Sequence, residues 1–173
     1  MQLLICPGYH APALTDDFLQ SLLAHLTPDQ APDQLWVLPL WAYPLGLPWL
    51  FNSAQLDRPL SIIAFSAGVV AAYPLLLAWQ SLGGTGRLIA IDGWGMPLPG
   101  DLVIYRISHD HWTHRTTYWP SPAESRGSFY CQPAVQHLAL WQHPHLSQGM
   151  GDLGTGVGPM TALEFICGAL GKT

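Results

Sequence analysis

A chain of 173 residues, 49% hydrophobic and only 10% charged, can bury a substantial core and is too apolar to be a disordered segment. Its net charge of −5, with six basic residues scattered along the chain, forms no basic stripe and argues against a nucleic-acid partner. No apolar stretch reaches about 18 residues unbroken, so no membrane span is expected, and the length points to one domain over residues 1–173.

In chain order, Leu3–Cys6 is a short apolar run that stops at the breaker pair Pro7-Gly8 and reads as a buried strand. Thr15 suits a helix N-cap, with Asp16 and Asp17 in the first turn and Phe18, Leu19, Leu22, Leu23 and Leu26 on one face. Leu35–Leu40 is a second strand, and Trp41–Asn52, with its prolines and aromatics, reads as a loop. Leu60–Phe65 is a third strand, followed at once by a helix over Ala67–Trp79 with a kink near Pro74. Arg87–Asp92 and Leu102–Ile107 are the fourth and fifth strands. The segment after Ser108 suits a helix as far as Tyr118, Pro120–Gly127 a loop, Val135–Trp141 a sixth strand and Thr161–Leu170 a last helix. Apolar strands alternating with helices predict an α/β fold: a mainly parallel sheet covered by helices on both faces.

The N-terminal stretch "MQLLICPGYH" has no positively charged leader region, and Cys6, Cys131 and Cys167 are an odd, widely spaced set that suits reduced thiols. Both features predict a cytoplasmic protein. Eight tryptophans among few charges fit either a rigid core or an apolar pocket and surface contact.

Ser66 is set between small residues where the third strand meets its helix. In a parallel sheet the ligand crevice lies outside the carboxyl ends of the strands. The run Ala64-Phe65-Ser66-Ala67-Gly68 resembles the nucleophile elbow G-x-S-x-G, with alanine at the first glycine place. Through it the chain, best over Leu3–Trp94, resembles small lidless serine esterases of the α/β-hydrolase superfamily. That resemblance implies a loop after the first strand, here "CPGYH", whose Tyr9 N–H joins the Ala67 N–H in an oxyanion hole. It also implies a Ser-then-acid-then-His order, which Ser66, Asp92 and His109 satisfy, each just past a strand. A fainter likeness, in the strand followed by histidine, is to esterases of pimeloyl-carrier-protein methyl esters.

The link Gly93–Asp101 is short for a crossover between parallel strands. If Leu102–Ile107 instead runs antiparallel or lies off the sheet, Asp110 is the alternative acid, and His143 or His145 the base. His111 and His114 are further competitors, and with Asp110 they form the one histidine cluster, "SHDHWTH", that suggests a metal. It matches no known ligand spacing, so neither a metal nor a cofactor is expected. "GMGDLG" over Gly149–Gly154 matches a dinucleotide fingerprint only in its letters and reads as a loop, and His137 reads as a core histidine.

Two functions stay open. The first is a serine hydrolase for a small-molecule ester or thioester, its apolar acyl group held among Tyr9, Trp41, Trp49, Phe51 and Trp94. The second is a non-catalytic protein of the same fold that binds an apolar ligand or a protein partner.

Overall fold

The computed structural model describes residues 1–38, 54–93, 95–98, 101–117 and 126–171. Its eight-stranded sheet contains β1 (Gln2–Cys6), β2 (Gln34–Val37), β3 (Leu60–Phe65), β4 (Gly86–Ile91), β5 (Val103–Ser108), β6 (Gly127–Cys131), β7 (Gln148–Asp152) and β8 (Val157–Thr161). The spatial order is β2-β1-β3-β4-β5-β6-β7-β8. The pairs from β2 through β6 are parallel, and β7 and β8 add two antiparallel strands at one edge. Among the described residues the α-helices are α1 (Pro12–His25), α2 (Gly68–Ser81), α3 (His111–Thr117), α4 (His137–Gln142) and α5 (Ala162–Leu170). This is the expected α/β fold with a mostly parallel sheet.

Every residue of β1 and β3 is buried, because both faces of the sheet are covered. Alternate residues feed two cores. Leu3 and Ile5 of β1 join Phe18 and Leu22 of α1, Trp141 of α4, and Phe165 and Ile166 of α5. Leu4 and Cys6 face the other way, against Val69, Ala72, Leu76 and Trp79 of α2. Among the described residues no helix is long and apolar enough to cross a membrane.

Several expectations need correction. Helix α1 begins at Pro12 with Ala11 as its cap, and Thr15 is buried inside it. A proline at the first helical position lacks an N–H that would go unpaired there anyway, and that signal outweighs the Thr15 cap. The sixth strand is Gly127–Cys131, which starts at the last residue of the expected loop and precedes the expected strand. The stretch Val135–Trp141 is not a strand, since α4 starts at His137. Its short apolar run suits either element, and the burial of Leu140 and Trp141 beside exposed Leu138 follows a helical face. "GMGDLG" is not a loop throughout. Gly149 and Gly151 lie in β7, where a Cβ on Gly149 would come within 2.1 Å of the Tyr130 carbonyl oxygen. Glycine is there for close approach between strands. Finally, β5 runs parallel to β4, so the short link after Asp92 is a genuine crossover and the antiparallel alternative falls.

Candidate active site

The strand register brings the chemistry to one edge. Phe65 pairs with Ile91, Ile91 with Ile107, and Ser108 with Tyr130. Ser66, Asp92, His109 and the segment leading to His137 therefore leave the sheet side by side at the carboxyl ends of β3, β4, β5 and β6. Ser66, Ala67, Val70, Asp92, Gly93 and His137 line one cleft there.

Ser66 has φ 52°, a left-handed conformation that non-glycine residues adopt at a cost of roughly 1–3 kcal/mol. It is held by its own N–H, which donates to the Ile91 carbonyl at 2.8 Å, and by the start of α2 directly behind it. Small neighbours make the turn possible. A Cβ on Gly68 would lie 2.0 Å from the Cys6 carbonyl oxygen, and one on Gly8 would lie 3.0 Å from the Ser66 Cβ. The "CPGYH" loop is thus packed against the serine turn, at the same end of the sheet. Gly68→Ala is expected to force helix and strand apart, lowering stability by about 1–3 kcal/mol in a denaturant titration. Ala67 is exposed at the N-terminus of the 14-residue α2, whose dipole favours negative charge.

Asp92 also has a positive φ, 49°, and its side chain is fully buried. Its N–H donates to the Ile107 carbonyl at 2.8 Å, which fixes the carboxylate at the strand end. Oδ2 accepts from His109 Nδ1 at 2.9 Å and from His137 Nδ1 at 2.7 Å, while Oδ1 accepts the His109 backbone N–H at 2.9 Å. Burial alone would raise the Asp92 carboxyl. The hydrogen bonds from the two histidines outweigh it and hold the group below the usual carboxylate range.

The two histidines differ in what else they face. The Nε2 of His109 lies 3.5 Å from Asp110 Oδ2, so this ring stands between two carboxylates. Its hydrogen bond to Asp92 raises its pKa against the opposing effect of burial. His137, the first residue of α4, instead lines the cleft with Ser66. Its ring stacks on Phe65 with centroids 4.5 Å apart, and Phe65 stacks in turn on Trp141 and Trp141 on Phe18. That aromatic column fixes the imidazole from below, each contact contributing about 0.5–1.5 kcal/mol. A hydroxyl, an imidazole and a buried carboxylate thus share one cleft, with the imidazole hydrogen-bonded to the carboxylate.

The remaining expected residues lie elsewhere or outside the described residues. Trp41, Trp49, Phe51 and Trp94 are outside them. Tyr9 follows Gly8 with its side chain 87% exposed. The Asp110 carboxylate accepts the Thr113 N–H at 2.6 Å at the start of α3. His111 and His114 pack on the Tyr130 ring, 4.9 and 5.0 Å away. His145 pairs with Ser21 Oγ at 3.2 Å, and His143 is exposed at the end of α4. Among the described residues the three groups close enough to hold one metal ion are Asp92, His109 and His137, rather than the expected cluster on α3.

His137 is the residue that sequence reasoning passed over. Its signal was its place in the chain, after serine and acid and just past the last parallel strand, and taking its segment for a strand hid that signal. The cysteines offer no rival nucleophile. All three are free, and burial pushes the Cys131 thiol, at the same sheet edge, up to about 12 with help from Asp92 and Asp110. Neither a scan against protein-family models nor a search of curated proteins returned a match to this chain.

Proposed function

We propose that the protein is a serine hydrolase that cleaves a carboxylic ester or thioester with an apolar acyl group, as its resemblance to small α/β-hydrolases implies. The observation that carries this reading is Ser66, held at a left-handed strand-to-helix turn in one cleft with a histidine that hydrogen-bonds a buried aspartate. Ser66 is the nucleophile, and His137 takes its proton and later returns it to the leaving group. Asp92 fixes the His137 tautomer by accepting from Nδ1, which leaves Nε2 as the base. His137, rather than His109, is the base. The His109 ring is set between Asp92 and Asp110, whose Oδ2 faces its Nε2 at 3.5 Å, whereas His137 shares the serine's cleft. The role of His109 is to steady Asp92 through two hydrogen bonds.

The Ala67 N–H, at the positive end of α2, and the Tyr9 N–H stabilise the oxyanion, each donor supplying about 3 kcal/mol. The close packing of Gly8 on Ser66 supports the choice of that loop. Exposed Val70 in the wall of the cleft supports an apolar acyl group. Three free cysteines support a reducing, cytoplasmic setting.

A p-nitrophenyl ester series from acetate to octanoate tests the proposal. Turnover is expected, with kcat/KM rising as the acyl chain lengthens, because each buried methylene contributes about 0.8 kcal/mol. Saturable binding of those esters without turnover would favour the non-catalytic ligand-binding protein.

A further inference from the structure

We propose that Asp92, His109 and His137 form a binding site for one zinc ion, and that zinc bound there switches off the chemistry of Ser66. The ligand atoms of the three side chains lie within 4.8 Å of one another, and the two imidazole Nδ1 atoms already converge on a single carboxylate oxygen at 2.9 and 2.7 Å. Zinc takes imidazole nitrogen and carboxylate oxygen at about 2.0–2.2 Å in a tetrahedral array, which places its ligands about 3.3 Å apart. The two nitrogen-to-oxygen distances therefore need to lengthen by about half an ångström, and the rings turn so that both Nδ1 lone pairs meet at the ion.

The surrounding groups suit such a site. A ligating histidine commonly donates its other ring N–H to a carboxylate, and ligating carboxylates are themselves hydrogen-bonded. Asp110 Oδ2 stands 3.5 Å from His109 Nε2, and the His109 backbone N–H holds Asp92 Oδ1 at 2.9 Å. When the ion binds, each neutral ring carries its proton on Nε2 and gives its Nδ1 lone pair to zinc. The cleft shared with Ser66 supplies water for the fourth position.

Binding and silencing are linked through the same atoms. With the ion in place, Asp92 no longer accepts from His137, and the His137 Nε2 carries a proton. Neither is compatible with a base for Ser66. The triad needs only one histidine on its acid. The second, His109, turns that acid into a three-ligand site. The inhibition rests on the reading of Ser66 as nucleophile, while the binding does not.

Equilibrium dialysis of the full chain against zinc chloride, with the metal measured by mass spectrometry, separates the two. Wild type and Ser66→Ala are each expected to hold one zinc. His109→Ala and Asp92→Asn, with folding checked by circular dichroism, are expected to bind at least tenfold more weakly. Asp110→Asn is expected to weaken binding about tenfold through His109 alone. Ester hydrolysis by wild type should fall on adding zinc and return with a chelator. Wild type that holds no zinc at 100-fold molar excess, or folded His109→Ala that holds it as tightly as wild type, overturns the site. An inactive wild type that still binds one zinc through His109 overturns the hydrolase reading and leaves the metal site standing.

Discussion

Replacing Ser66 with alanine is expected to lower kcat/KM for p-nitrophenyl butyrate by at least about ten-thousand-fold. Removing a nucleophile eliminates the covalent route and leaves only what the oxyanion donors and substrate positioning supply. The fold should not notice the change. The Ser66 hydroxyl makes no hydrogen bond among the described residues, and the turn is held by its backbone N–H and by Gly8 and Gly68. The thermal midpoint of the variant is expected to stay within about 2 °C of wild type. A Ser66→Ala enzyme that hydrolyses the ester at the wild-type rate would remove the nucleophile from the mechanism.

The second large effect separates the two histidines on Asp92. His137→Ala is expected to cost nearly as much as Ser66→Ala, because nucleophile and base act as a unit. His109→Ala removes one charge-assisted hydrogen bond to Asp92 but leaves the His137 contact, a loss of about 1.5–3 kcal/mol or ten- to hundredfold in rate. Steady-state kinetics on both variants decides the order. If His109→Ala falls to the level of Ser66→Ala while His137→Ala keeps most of its activity, His109 is the base, as the chain order first implied.

The first half of the chain was legible because its strands are buried on both faces. Leu3–Cys6, Leu60–Phe65 and Arg87–Asp92 read as near-continuous apolar runs, and each is a parallel strand. Once those strands are parallel, their ends share one edge, so Ser66 and Asp92 fall together without knowledge of any side-chain contact. The second half gives weaker signals. Strand β6, "GSFYC", alternates between buried and partly buried residues over only five positions, and two of the three central residues of β7 are glycine. The apolar run ending in Trp141 is short enough to suit strand or helix, and taking it for a strand placed His137 in the core rather than at the start of α4. The setting of His109 involves Asp110 as well as Asp92, a relation between ring orientation and two carboxylates that spacing along a chain does not encode.

The most direct measurement of the central claim is peptide mapping after treatment with a fluorophosphonate, which reacts with an activated serine and not with an ordinary hydroxyl. A single adduct is expected on the peptide that carries Ser66, absent in His137→Ala and absent when the protein is unfolded before treatment. An unmodified Ser66 in the folded wild-type protein, or an adduct that forms equally well without His137, would contradict it.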